Sequence, residues 1–360
     1  MVNRSLQRPT WRSQDHNRRC YSQLNWAPQR LACFCRVAVS IWRSDELLNP
    51  PTVSVIICAY TEDRWSLLGD CVASVEAQTA PPIEIILCID HNEELLRRSE
   101  QHFGIGRPAG VIPLTVVASK YDGHLGSARN TAAEIASGEV LAFLDDDAAA
   151  AADWLEQLIA PYSDPRVAAV GGAPLPVFEE QRPRWFPREF DWVFGCAYSG
   201  LPSTRARLAH LIGANMSVRR SALQEISGFH SDNHDDMDMC HRLACAQYNI
   251  LYEPLAVVSH FVPASRTTWR YFWRRCYFVN LGKVEAFANM QGAAHLGAEL
   301  AFVGRIMTRG IPAGMHQALR GDLYGLVRAG AMMAGIVLAG LGHLSGKLQM
   351  RWSRRMPVTP

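Results

Sequence analysis

The 360-residue sequence lacks an excess of charge of either sign and lacks a paired cysteine spacing. Lysine and arginine number 36 against 34 aspartates and glutamates, which leaves a formal net charge of +2. This balance gives no general electrostatic reason to expect nucleic acid as a partner, so an anionic ligand must be met by local charge. The ten cysteines are scattered, and the closest pair, Cys33 and Cys35, has no second pair to complete a zinc site. They are expected to be reduced thiols in a cytosolic protein.

The sequence also lacks a clear secretory signal and an uninterrupted apolar run of transmembrane length. The first fifty residues are rich in arginine and show no apolar core followed by a small-residue cleavage site. Near the C-terminus, the charge-free stretch 329–342 is shorter than the roughly 20 apolar residues that a membrane span needs. Basic residues follow it, so this region is expected either to pack as a helical hairpin or to rest at an anionic membrane surface.

From residue 51 onward, short apolar runs alternate with segments of helical periodicity. The runs are β-branched and of strand length, and the segments between them repeat apolar residues at helical spacing. This pattern predicts an α/β fold with a mostly parallel sheet flanked by helices on both faces. Ligands bind beyond the carboxyl ends of the strands in such sheets, so candidate site residues follow positions 60, 89 and 144. The predicted strands are 52–60, 83–89, 111–118 and 140–144, and the predicted helices are 65–75 and 127–137.

Three adjacent carboxylates, Asp145, Asp146 and Asp147, follow the last of these strands. Like charges at this spacing repel one another unless a cation neutralises them. Mg²⁺ and Mn²⁺ take oxygen ligands and commonly use one or two carboxylates together with substrate phosphates. In an extended segment, Asp145 and Asp147 project to the same side and form the natural pair to face a ligand. The alternative is a solvated turn that caps a helix beginning near Ala148.

Two further polar groups favour a binding site over a simple turn. Glycines and Arg129 stand at the start of the preceding helix, where the backbone can approach a ligand closely and an arginine can clamp phosphate oxygens. A second acidic group, 234–238, opens a later helix. A hydroxyl that attacks a sugar needs a carboxylate to take its proton, and Asp236 is the candidate general base. The residues at the start of the preceding helix are Gly123, Gly126, Arg129 and Asn130.

In their order and content, these stretches resemble the GT-A-fold glycosyltransferases of family 2. The resemblance spans about two-thirds of the chain. It implies an inverting transfer of a sugar from a nucleotide-activated donor, with UDP as the expected nucleotide, to a glycan or lipid-linked acceptor. The matching stretches are VSVIICAYTED at 53–63, EIILCID at 84–90, GHLGSARNTAAEIASGEVLAFLDDD at 123–147, and GANMSVRRSALQEISGFHSDNHDDMDMCHRL at 213–243.

The resemblance also implies roles for individual residues. The nucleotide would lie against residues at the ends of the first strands and at the D-x-D segment, and Mg²⁺ or Mn²⁺ would be held by Asp147 and His260. Asp236 would match the catalytic base. The nucleotide-binding positions carried over in this way are Tyr60, Glu62, Asp90, Arg129, Asp145 and Asp146.

The chain departs from the usual family pattern at several positions. Cys58 stands where proline is usual, Asp235 where glutamate is frequent, and His91-Asn92 replace the common continuation after the base-binding aspartate. These departures weaken the assignment of a UDP-sugar in particular. A Q-x-x-R-W element is also lacking, which argues against a processive polysaccharide synthase.

The expected organisation has an arginine-rich extension at 1–50, a catalytic domain at 51–289 and a helical C-terminal region at 290–360. The expected place of action is the cytoplasm, at the inner face of the membrane, in the synthesis of surface polysaccharide or glycolipid. Two alternatives stay open. A sugar-phosphate nucleotidyltransferase should have a glycine-rich basic loop after the first strand, where this chain has Tyr60-Thr61-Glu62-Asp63. A non-catalytic sugar-binding protein would not need both acidic groups.

Overall fold

The computed structural model describes residues 50–104, 111–121, 125–230, 234–289 and 297–353. The arginine-rich extension and Gly123 lie outside the described residues. Nine strands form one sheet in this part of the chain. They are β1 (Val53–Ala59), β2 (Glu84–Ile89), β3 (Leu114–Ala118), β4 (Val140–Asp145), β5 (Ala148–Ala150), β6 (Val167–Phe178), β7 (Ala206–Arg207), β8 (Asn215–Arg219) and β9 (Asn249–Val262).

The strand order is β3-β2-β1-β4-β8-β6-β9-β5, and β7 pairs with β9 outside this path. The first four strands in this order run parallel, which confirms the predicted β-α-β units. The short strand β8 then pairs antiparallel with both β4 and β6. The segment after the aspartates is strand β5, paired with β9, and is not the start of a helix. The segment after the first acidic group is therefore joined to β9 by pairing across a long sequence separation.

Helices cover both faces of the sheet and extend beyond it at the C-terminal end. Shorter helical turns connect several of them, including the 3₁₀-helices Glu62–Arg64 and Arg188–Phe194. The α-helices are α1 (Trp65–Glu76), α2 (Glu93–Ser99), α3 (Leu125–Ile135), α4 (Trp154–Ile159), α5 (Arg220–Glu225), α6 (Asp235–Cys245), α7 (Trp269–Asn289), α8 (Gly297–Arg305), α9 (Ile311–Leu319) and α10 (Tyr324–Ser353).

The alternation of side chains along β1 explains why both faces of the sheet are buried. Val55 and Ile57 pack on one face with α1, whereas Ile56 packs on the other face with α3 and α6. Parallel strands that are buried on both faces have continuous apolar sequences, and strands β1, β2 and β4 show this pattern. The resulting rigidity fixes the carboxyl ends of β1, β2 and β4 relative to one another.

The C-terminal helices pack on an aromatic cluster built around Phe186, Phe190 and Phe272. Helix α10 lies along α7, and glycines at the contact let the two backbones approach closely. A Cβ atom at Gly342 would lie 2.1 Å from the carbonyl oxygen of Tyr277. The described residues from Pro50 onward form one compact unit. The division at residue 289 into a catalytic domain and a helical region stays a prediction.

Candidate active site

The carboxyl ends of β1, β2 and β4 bring three predicted site residues to one edge of the sheet. Cys58 of β1 is in register with Asp145 of β4, and the amide of Asp90 donates to the carbonyl of Ala59 at 2.8 Å. Tyr60 directly follows β1 and is 56% exposed. This is the ligand-binding edge expected for an open α/β sheet.

Asp145, Asp147 and His260 form a compact group at this edge, and each offers one ligand atom within 4.8 Å of the others. The pairing of β5 with β9 creates it, because Ala148 is in register with His260. The amide of Phe261 also donates to the carbonyl of Asp147 at 2.9 Å. Nε2 of His260 lies 3.0 Å from Oδ1 of Asp147 and 4.0 Å from Oδ2 of Asp145.

The chemistry of this group fits a divalent cation. Two carboxylates and an imidazole are ligands that Mn²⁺ accepts. In the described part of the chain, Oδ1 of Asp147 is buried and lacks an aligned hydrogen-bond donor. Burial raises the pKa of Asp145. Burial acts in the same direction on Asp147, but the neighbouring His260 outweighs it and lowers the pKa of Asp147. Asp147 is therefore an anion ready to act as a ligand at neutral pH.

Arg64 is a residue of this edge that the sequence analysis did not single out. Its Nη1 atom lies 2.7 Å from Oδ1 of Asp146 and 3.2 Å from Oδ2 of Asp147, and its Nη2 atom donates to the Tyr60 hydroxyl at 3.1 Å. Burial raises the pKa of Asp146 to about 7, although Arg64 opposes the shift. Asp146 is 3% exposed and engaged by Arg64; its expected contact with the nucleotide stays a prediction. In the sequence, Arg64 could have been found as the first cation after the first strand.

Arg129 lies between the two acidic groups, next to a carboxylate of each. It is 2% exposed, and its guanidinium donates to Asp235 at 2.8 Å and to the carbonyl of Gly213 at 2.9 Å, with Asp145 at 3.7 Å. Burial opposes the charged form of Arg129, but Asp235 and Asp145 more than offset this and raise its pKa. The local sequence predicted a phosphate clamp at Arg129. In the described structure, the guanidinium binds carboxylates and a carbonyl and so supports the site; its contact with the nucleotide stays a prediction.

Asp236 stands at the first turn of α6, where the helix N-terminus favours negative charge. Its carboxylate accepts hydrogen bonds from the amide of Gly213 at 3.1 Å and from its neighbour Met237 at 2.8 Å. Burial, followed by the charge of Asp235, raises the pKa of Asp236 to about 6, while Arg129 acts in the opposite direction. A carboxylate with this pKa is a stronger base than an ordinary aspartate and is still ionised at pH 7.

Small and amide side chains hold α3 against the segment before α6. A Cβ atom at Gly126 would lie 2.3 Å from the carbonyl oxygen of His230, so this position requires glycine. The side chain of Asn130 clamps the backbone of Phe229, donating to its carbonyl at 2.6 Å and accepting from its amide at 2.7 Å. Both residues were predicted near the ligand, and in the structure they hold α3 against the backbone of His230 and Phe229.

The nucleotide side of the edge is more exposed. Glu62 is exposed in the 3₁₀-helix after β1, and Asn92 donates to the carbonyl of Tyr60 at 3.2 Å. Nδ1 of His91 lies 2.5 Å from Oδ1 of Asp90. The three predicted nucleotide-binding residues Tyr60, Glu62 and Asp90 thus lie at neighbouring strand ends, and their contact with a nucleotide stays a prediction.

A mostly parallel sheet with an acidic group at its carboxyl edge is the arrangement of the GT-A fold. Among solved structures, the chain is similar to the mannosyltransferase PcManGT from Pyrobaculum calidifontis, described in complex with GDP-Man and Mn²⁺. The TM-score is 0.51 at 21% identity, over 85% of this chain and 80% of that one. This likeness supports the fold.

Sequence relatives establish the family. Residues 54–227 match the family described as "Glycosyl transferase family 2". The glucosyl-dolichyl phosphate glucuronosyltransferase of Haloferax volcanii is 30% identical over 238 residues, which cover 62% of this chain and 74% of the relative. The O-antigen chain rhamnosyltransferase RfbN of Salmonella typhimurium is 25% identical over 58% of this chain and 66% of its own length. The chain belongs to glycosyltransferase family 2, as the resemblance predicted, and it is a transferase.

Proposed function

We propose that this enzyme transfers a sugar, with inversion, from a nucleoside-diphosphate sugar to a lipid-linked or glycan acceptor. The observation that supports it is the meeting of Asp145, Asp147 and His260 at the sheet edge, with Asp236 held nearby through Arg129 and Gly213. One group can hold a cation against the diphosphate, and the other offers a base to the acceptor. Two of the relatives above are named for a glucosyl-dolichyl phosphate and for an O-antigen chain, and these names support this acceptor class.

Asp145, Asp147 and His260 would hold Mn²⁺ or Mg²⁺, which neutralises the charge that develops on the diphosphate leaving group. Mn²⁺ is the better fit because one ligand is an imidazole, whereas Mg²⁺ prefers oxygen. Arg64 fixes Asp146 and Asp147 on the side away from His260. The nucleoside would lie against Tyr60, Glu62 and Asp90 at the ends of β1 and β2.

Asp236 would take the proton of the acceptor hydroxyl as that oxygen attacks the anomeric carbon. Two backbone amide donors and the helix N-terminus favour the ionised carboxylate and fix its orientation. Asp235 is bound by Arg129 and is therefore a supporting group rather than a second base. A single base and a single displacement give inversion of the anomeric centre.

Ligand-induced stabilisation would identify the donor. A ligand that binds the native state raises its stability by mass action. Nucleotides and nucleotide-sugars should be screened by thermal shift with and without Mn²⁺, and the best donor then tested for metal-dependent hydrolysis and transfer. We expect a diphosphate to stabilise the wild type more with Mn²⁺ than without it. Equal shifts with and without metal, together with absent transfer, would contradict the proposal.

Contact with the membrane is the second part of the proposal. Among the described helices, the segment Tyr324–Trp352 is long and apolar enough to cross a membrane by length and composition, a test that the core helix of a soluble protein can also pass. One face of α10 exposes an apolar stripe beside the exposed cations Lys347 and Arg351. Such a face can rest on an anionic bilayer, with about 1 kcal/mol gained per cation. The stripe is Val337, Leu341, Leu344, Leu348 and Trp352, each 48–71% exposed.

Introducing negative charge into this stripe tests peripheral attachment to an anionic bilayer. Leu341→Glu combined with Leu348→Glu should reduce flotation of the full chain with anionic liposomes, because both positions are about half exposed and would carry charge into the interface. Leu255→Glu is the matched control, since Leu255 is 64% exposed on a different element. Equal flotation of all three proteins would remove the membrane contact and leave the transfer reaction untouched.

A further inference from the structure

A cysteine lies behind the candidate metal group. Sγ of Cys196 is 3.3 Å from Nδ1 of His260, and the opposite ring nitrogen, Nε2, is 3.0 Å from Asp147. Cys196 is 0% exposed, His260 3% and Asp147 5%. The three side chains form a buried line in which the imidazole has the thiol on one side and the carboxylate on the other.

The backbone around Cys196 holds the thiol at this place. The 3₁₀-helix Arg188–Phe194 ends at Gly195, whose φ of 75° is the left-handed conformation that glycine adopts without strain. The amide of Cys196 then donates to the carbonyl of Asp191 at 3.2 Å, and the amide of Ala197 donates to Pro174 of β6 at 2.7 Å. The segment is therefore tied to the 3₁₀-helix through Cys196 itself and to the sheet through the next residue.

An imidazole that binds a cation through Nε2 must carry its proton on Nδ1, and that N–H group needs an acceptor. In most metal sites the acceptor is a carboxylate, a carbonyl or water. Here the atom facing Nδ1 is sulfur, which is a weak acceptor. The thiol donates to the carbonyl of Phe194 at 3.9 Å, which leaves a lone pair on sulfur facing the ring.

We infer that Cys196 is a positioning residue that accepts the Nδ1–H of His260 and so orients Nε2 to bind the cation that Asp145 and Asp147 would hold. The inference rests on the proposed metal site, and it adds a residue to which none of the family motifs pointed. It also accounts for the burial of a cysteine at the back of a polar site, where packing alone would be satisfied by any small apolar residue.

Three full-length variants test this role. Cys196→Ala removes the acceptor, Cys196→Ser replaces it by a hydroxyl, and Cys276→Ala is the control, because Cys276 is equally buried in the same aromatic cluster. Mutation of such an outer partner typically weakens metal affinity by about 10–100-fold. Calorimetric titration with Mn²⁺ should show that loss for the alanine variant at Cys196, and values within about threefold of wild type for the serine variant and the control.

The protonation of the ring supplies a readout that a purely structural role would not move. With diamagnetic Zn²⁺ as the probe, ¹⁵N NMR of the His260 ring should show the proton on Nδ1 in wild type and in Cys196→Ser, and a mixture of tautomers in Cys196→Ala. Wild-type affinity in Cys196→Ala, or an unchanged tautomer, would overturn the inference. His260→Ala separates this result from the larger proposal: if it binds Mn²⁺ as wild type does, the metal site itself fails.

Discussion

Replacing Arg129 by methionine should lower the free energy of unfolding of the protein and change the pH dependence of transfer. Methionine keeps much of the side-chain volume but removes the cation between Asp235 and Asp145. Arg129 is 2% exposed, and breaking a buried ion pair by removing one partner costs about 3–5 kcal/mol, because a buried charge is left uncompensated. We therefore expect Arg129→Met to lose about that much free energy of unfolding at pH 7.

The same substitution should move the acid limb of the rate profile. The base must be ionised, so kcat/KM falls as the pH drops through the pKa of Asp236, which is about 6. Arg129 lowers that pKa, and its loss should raise it further. The decline in Arg129→Met therefore begins at a higher pH than in wild type.

Urea denaturation and a pH series of kcat/KM are the two assays. Arg129→Lys is the matched control, since lysine keeps the charge but cannot reach Asp235 and the Gly213 carbonyl with a planar fork. Its stability should lie between the other two, and its acid limb should stay near that of wild type. A methionine variant within about 1 kcal/mol of wild type, with an unshifted limb, would refute the assignment of Arg129 as the central cation.

Other outcomes follow from the same geometry. Asp147→Asn should abolish the stabilisation that Mn²⁺ gives to the diphosphate complex in thermal shift, and an undiminished shift would remove Asp147 from the metal site. Asp236→Asn should bind donor but transfer about 10²–10⁴-fold more slowly, and product formation within threefold of wild type would exclude it as the base. An α-linked donor should give a β-linked product by NMR coupling constants. Gly172→Ala should destabilise by about 1–3 kcal/mol in urea, because its Cβ atom would lie 2.2 Å from the carbonyl of Ala256, whereas Gly330→Ala, in open space on α10, should stabilise by about 0.5–1 kcal/mol.

The sequence was sufficient for the features that depend on local pattern. The runs around Val53–Ala59 and Val140–Asp145 predicted buried parallel strands, and the carboxylates after them predicted the edge at which ligands bind. These features depend on periodicity and on the geometry common to open sheets. The strand after Asp147 could not be distinguished from a helix because three alanines carry little preference for pairing with a distant strand.

The roles of Arg64, Arg129 and Cys196 depend on contacts across long sequence separations. The local sequence predicts a phosphate contact for Arg129, which opens a helix beside glycines, but it does not indicate the ion pair with Asp235, 106 positions later. Cys196 faces His260 across 64 positions, and nothing in the local sequence of either residue indicates the other. Such pairings follow from the order of strands β8, β6 and β9, which short-range patterns do not encode.

The register of β5 against β9 would also link the proposed cation binding to folding. Ala148 pairs with His260, and a slip of one residue would turn the imidazole to the opposite face of the sheet. Loop closure between residues so far apart must precede the contacts that reward it, so this pairing is expected among the later events in folding. Cation affinity would then develop only in chains in which β5 and β9 have paired in the correct register. A cation titration during refolding would therefore measure the fraction of such chains.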